Sequence, residues 1–129
     1  MKRGFTLVEI LIVMTLIGIL VAIAIPNFSK STIRAREAVL KENLHQIRMA
    51  INNFYMDKKK YPTALEDLVV NKYLRTVPQD PILRKAEWEL IHFETDDMEE
   101  LDPEALEGII DVKSKATGTA LDGSKYSEW

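Results

Sequence analysis

The chain has 129 residues, with 17 basic against 20 acidic side chains for a formal charge of −3, and no cysteine. This balance excludes an extended basic nucleic-acid surface, and the missing cysteine excludes disulfide cross-links and thiol chemistry. Once the apolar N-terminal stretch is set aside, the remainder is long enough for one small domain and too short for two.

Residues Phe5 to Ile25 are almost continuously apolar. As a helix rising about 1.5 Å per residue they span roughly 31 Å, close to the hydrocarbon thickness of a bilayer. A secretory signal peptide would carry its small-residue exit after the apolar core. Here the small residue, Gly4, stands before it. A buried core helix of a soluble protein is a poor fit to so long an apolar run. The reading is a single membrane span behind a short leader, residues 1–4, whose Lys2 and Arg3 stay on the cytoplasmic side.

Glu9 is the one ionisable residue inside the span. At the bilayer centre an uncompensated carboxylate costs about 2.5–3.5 kcal/mol, and less near an interface. It can reach the headgroups, pair with an amine at its own chain end, or neutralise the amine of a neighbouring copy. The residues alone leave these open. Gly18 and Pro26 weaken the helix, by about 1 and about 3 kcal/mol respectively in a helix interior.

Beyond Pro26 the pattern turns amphipathic. Ile33, Leu40, Leu44, Ile47, Ile51 and Phe54 recur at helical spacing, with Arg34, Arg36, Lys41, Glu42, Arg48 and Asn52 between them. This predicts a helix over residues 26–57 that continues the span and lays its apolar stripe on a domain formed by residues 58–129. His45 falls off the stripe and reads as a surface residue. Lys58-Lys59-Lys60 reads as a solvated helix end.

Thr63 followed by Glu66 predicts a capping box, opening a short helix from about Ala64 to Asn71. Pro78 and Pro81 forbid a regular helix in the passage that follows. Trp88–Phe93 and Gly108–Lys113 are rich in β-formers and predict an antiparallel pair packed on the long helix, an α+β arrangement. Between them, residues 94–107 carry eight carboxylates and no basic residue, the composition of an exposed loop. Asp122-Gly123 predicts a tight turn. An enzyme would need a convergent constellation of reactive side chains, and none is evident: two distant histidines, no Gly-x-Ser-x-Gly, no phosphate-cradling glycine loop.

Gly4-Phe5-Thr6-Leu7-Val8-Glu9 followed by the apolar span resembles the processing site of type IV pilins and type II secretion pseudopilins. Tyr61-Pro62-Thr63 and Val77-Pro78-Gln79-Asp80-Pro81 resemble landmarks of the major pseudopilins within that family, with Ile82 where the family often has Trp. The resemblance implies a type IV pilin-like fold: a long N-terminal helix on a small antiparallel sheet. It implies cleavage by a prepilin peptidase between Gly4 and Phe5, N-methylation of Phe5, and a role for Glu9 in recruiting the next subunit. It also implies loosening of the helix between Gly18 and Pro26 in a filament, and a calcium ion in the C-terminal loop. Asp122 is the nearest candidate ligand, with Asp96, Asp97 or Asp102 as residues that would have to reach across.

The function so implied is that of a major pseudopilin. Such a subunit waits in the inner membrane with its C-terminal domain in the periplasm, then joins a homopolymeric periplasmic filament that drives protein export. Its partners would be other pseudopilins and inner-membrane secretion components. A type IV pilus or competence pilin is the alternative inside the family. A membrane-tethered periplasmic binding domain is the alternative outside it.

Overall fold

The computed structural model describes residues 3–94 and 107–129. The expected loop at residues 94–107 lies almost wholly outside the described residues, and Asp96, Asp97 and Asp102 lie there too. One helix, α1 (Leu7–Lys58), runs unbroken for 52 residues with Pro26 inside it. The chain forms two compact units, residues 1–35 and 36–129.

In the first unit the helix exposes nearly every apolar side chain, Phe5, Leu7, Leu20, Ile25 and Phe28 among them. Its most apolar window is long enough to cross a membrane and has no buried residue. A helix apolar all round and unburied by its own chain is built for lipid or for other helices.

The second unit contains the core. From α1 it takes Leu40, Leu44, Ile47, Ala50, Ile51 and Phe54, which pack with Leu65, Leu68, Trp88, Ile109, Val112 and Tyr126. Five of the six stripe residues are therefore core, each worth about 1.5–3 kcal/mol on burial. Ile33 is not: it belongs to the first unit and is 38% exposed. The periodicity continues past the point where there is a domain to pack against. α1 ends as Lys59 turns into the left-handed region (φ 57°), its N–H still bonded to the Tyr55 carbonyl at 2.8 Å. His45 and the lysines around that end are exposed, as expected.

The short helix α2 (Leu65–Val70) is present, and its closure corrects the expected capping box. The acid that reaches back is Asp67. Its Oδ2 accepts from Thr63 N at 3.1 Å, Thr63 Oγ1 at 2.8 Å and Ala64 N at 3.1 Å. The helix starts one residue later than the Thr63–Glu66 spacing supposes, with Ala64 as N-cap, and this moves the third helical position from Glu66 to Asp67. Those bonds, the Thr63 hydroxyl first, hold the Asp67 carboxyl below its ordinary pKa. A depressed folded pKa gives stability that is present above the unfolded value and lost as pH falls through the folded one. Asp67→Ala is expected to cost about 1 kcal/mol at neutral pH and less at pH 2, whereas Glu66→Ala stays near wild type at both. Thermal melts of the full chain in detergent at the two pH values check this.

Two strands follow, β1 (Trp88–His92) and β2 (Ile109–Ser114), paired antiparallel from Trp88↔Ser114 to His92↔Ile109, with a register shift between Ile91 and His92. The architecture is the expected α+β. The proline-rich passage is pinned on several sides. Pro78 O accepts from the Trp88 indole at 2.9 Å, and Gln79 O from the Asn43 amide on α1 at 2.8 Å. Asp80 is fully buried. It accepts from Ile82 N and Leu83 N through one oxygen, and from Ser114 at the end of β2 through the other. The upstream landmark is tied as well, with Pro62 O receiving Ile109 N at 2.8 Å. Both landmark strings thus act as fasteners between elements distant in sequence.

Candidate functional site

The N-terminal site is built from the start of α1. Gly4, Phe5 and Thr6 precede the helix and are exposed, and an added Cβ at Gly4 would meet nothing within 4 Å. Thr6 is the N-cap. Its carbonyl accepts the first helical bond from Ile10 N at 3.2 Å, and its Oγ1 accepts from Glu9 N at 3.2 Å. Glu9 is therefore the third residue of the helix, so Thr6-Leu7-Val8-Glu9 carries the Ser/Thr-x-x-Glu signature of a helix start. Phe5, just before the cap, lines one apolar cleft with Glu9, Ile10, Val13, Met14 and Ile17. Phe5 and Ile10 hold the two positions of a hydrophobic staple, which fixes where the chain enters the helix. The Glu9 carboxylate lies at the positive end of the helix macrodipole, where a negative charge is favourably placed.

Gly18 has open space around it. Around Pro26 the helix is unbroken, although the proline has no N–H to donate to the Ala22 carbonyl. Polar side chains beside it bond back to the backbone. Asn27 donates to Ile23 O at 3.4 Å, Ser29 to Pro26 O at 3.0 Å, Ser31 to Asn27 O at 2.9 Å and Thr32 to Phe28 O at 3.1 Å. Such back-bonding bends and softens a helix while keeping its carbonyls satisfied in a dry environment.

The C-terminal candidate, Asp122, sits in an exposed turn. Gly123 takes φ 88°, and Ala120 N bonds Ser124 O at 2.7 Å. That is the expected tight turn. Asp122 Oδ1 accepts from Ser124 N at 2.9 Å and Ser124 Oγ at 2.6 Å. These bonds, the side-chain one first, hold its carboxyl below the ordinary pKa, and the Lys41 ammonium adds to the effect. Calcium takes six to eight oxygens, several of them carboxylate. Asp122 offers one carboxylate already engaged, and among the described residues no three His, Cys, Asp or Glu side chains gather as a metal site would require. The described donor set does not fit calcium.

Sequence reasoning missed three residues here. Glu37 on α1 is buried, 8% exposed, and its Oε1 accepts from Leu121 N at 2.9 Å and Tyr126 OH at 2.8 Å. Arg48 donates to Asp111 Oδ1 at 2.7 Å and, through Nη2, to the carbonyls of Val112 and Trp129, both at 2.9 Å. Lys41 places its ammonium 4.4 Å from the centre of the Trp129 ring. On a helical wheel all three fall beside the apolar stripe, where charged residues read as solvated.

The prokaryotic N-terminal methylation motif matches residues 1–25. The type IV major pilin protein PilA of Myxococcus xanthus is 48% identical over 60 residues, 46% of this chain and 27% of that protein. Type II secretion system core protein G of Klebsiella michiganensis is 28% identical over 96 residues, 62% of this chain and 68% of that protein. By its N-terminal motif and by these relatives the chain is pilin-like. The Escherichia coli core protein G is 30% identical over 96 residues and is matched over 66% of its length. This pilin-like chain therefore spans about a quarter of the Myxococcus pilin and about two thirds of the core G proteins. No solved structure matches it significantly.

Proposed function

We propose that this pilin-like chain is a major pseudopilin of a type II secretion system, a structural subunit rather than an enzyme. One observation carries the reading. Likeness to core protein G extends over 62% of the chain, well past the N-terminal helix, whereas likeness to the Myxococcus pilin covers 46%.

In this reading the exposed, non-helical Gly4-Phe5 bond is cut by a prepilin peptidase, because a peptidase needs backbone outside a helix. The new Phe5 amine becomes the N-methylated end. The subunit rests in the inner membrane by its apolar helix, with residues 36–129 in the periplasm. Leaving the lipid exposes about twenty apolar residues, which only burial against other such helices offsets. Glu9 recruits the next copy by answering its amine, and the resulting filament moves secreted proteins outward together with other pseudopilins and inner-membrane secretion components.

The test is deletion and complementation in the native host. Loss of the gene should leave exoproteins in the periplasm, and the wild-type chain, unlike Gly4→Asp, should restore their export. If export is normal and surface pili vanish instead, the type IV pilin reading, favoured by the 48% identity over 60 residues, replaces it. If both persist, the chain is a tethered domain that does not polymerise.

A further inference from the structure

The residues of the C-terminal turn meet a stripe on α1. Glu37, Lys41, Leu44 and Arg48 follow one another at spacings of four, three and four, and so share one helix face. Glu37 Oε1 holds both ends of the turn at once, through Leu121 N before it and Tyr126 OH after it. Within the turn, Ser124 Oγ donates to Asp122 and accepts from the Trp129 indole at 2.7 Å. Trp129 packs edge-on against Tyr126 with ring centres 5.2 Å apart, carries the Lys41 ammonium over its face, and gives its carbonyl to Arg48.

We propose that the C-terminal loop is closed by this α1 stripe, with Glu37 as its clasp, and needs no divalent cation. A metal in such a loop would gather acceptor oxygens from both strands of the turn around one positive charge. Here the polarity is reversed. A single buried carboxylate gathers the donors, and the cationic groups near Trp129 are the ammonium of Lys41 over its ring and the guanidinium of Arg48 on its carbonyl. Asp122 and Glu37 each commit one oxygen to two hydrogen bonds inside the protein, so the turn is already shaped by donors of the chain itself, and a two-oxygen grip on a cation would compete with those contacts.

The test uses the full chain in detergent micelles with calcium chloride or a chelator as the only variable. The melting temperature and the near-ultraviolet dichroism of Trp129 are followed in a Trp88→Phe background. The closure predicts a melt unmoved by calcium or chelator. Glu37→Gln, which keeps an acceptor oxygen, should melt near wild type. Glu37→Ala should melt about 5 °C lower with a diminished Trp129 signal, which calcium does not restore. Tyr126→Phe should fall between them, and keeps the test decisive if Glu37→Ala fails to fold. A calcium site of even millimolar affinity, saturated tenfold, would raise the melt by several degrees. Such a rise, abolished by Asp122→Asn or Glu37→Gln, overturns the proposal. So does a Trp129 signal indifferent to Glu37→Ala and Tyr126→Phe.

Discussion

Glu9→Ala should give a chain that enters the membrane and is trimmed at Gly4, yet does not polymerise. Two roles compete for this carboxylate, and they predict different outcomes for two substitutions. As the third residue of a helix capped by Thr6, Glu9 gives Thr6 Oγ1 its backbone N–H, which every substitution keeps, while its side chain adds at most about 1 kcal/mol at the helix start. As the partner of a neighbour's Phe5 amine it supplies a full negative charge in a medium of low dielectric, where a pairing is worth several kcal/mol. Losing about 3 kcal/mol per subunit contact raises the concentration needed for assembly by roughly a hundredfold. Filament yield measured for Glu9→Ala and Glu9→Gln, with membrane insertion and trimming as controls, separates the two. Pairing requires both variants to fail, whereas filaments of Glu9→Gln at wild-type yield would leave Glu9 a helix-start residue only.

Asp80→Ala should be the most damaging single change in residues 36–129. The side chain is fully buried and joins the proline-rich passage to β2 through Ser114, while closing its own turn on Ile82 and Leu83. Removing it strands buried donors on both sides, a loss of about 2–4 kcal/mol. At about 4–8 °C per kcal/mol for a domain of this size, the melt should drop by at least about 8 °C. Asp80→Asn can keep its oxygen on the two backbone N–H groups and offer its amide to Ser114 Oγ, so it should lose less than half as much. Equal losses for the two variants would show that charge, rather than hydrogen bonding, holds the joint.

The sequence made the long helix, the two strands and the tight turn legible because each rests on local patterning: an unbroken apolar run, a helical stripe, β-formers, Asp-Gly. Ile33 shows the limit of the stripe, since periodicity reports a face and not the presence of something to bury it. The Thr63 capping box was found with the wrong acid because moving a helix start by one residue exchanges Glu66 for Asp67. Thr6 and Glu9 carry the same signature at the head of α1, overshadowed by the apolar run behind them. Glu37, Arg48 and Asp80 were illegible for another reason. Their partners lie 84 to 89, 63 to 81 and 34 residues away at the farthest joints, and no local window holds both halves of such contacts.

The hydroxyls and amide flanking Pro26 also bear on how a rod of this kind carries load. At Ile23, Pro26, Asn27 and Phe28 a side-chain donor already serves the carbonyl, so the main-chain bond there can be given up without stranding it. Drawing the chain from Ile23 to Phe28, five residue steps, from helical rise to an extended trace would lengthen it by about 9 Å. A fibre made of such subunits would then yield under tension by paying out slack at one preset place in every copy, and wind back when the pull is released.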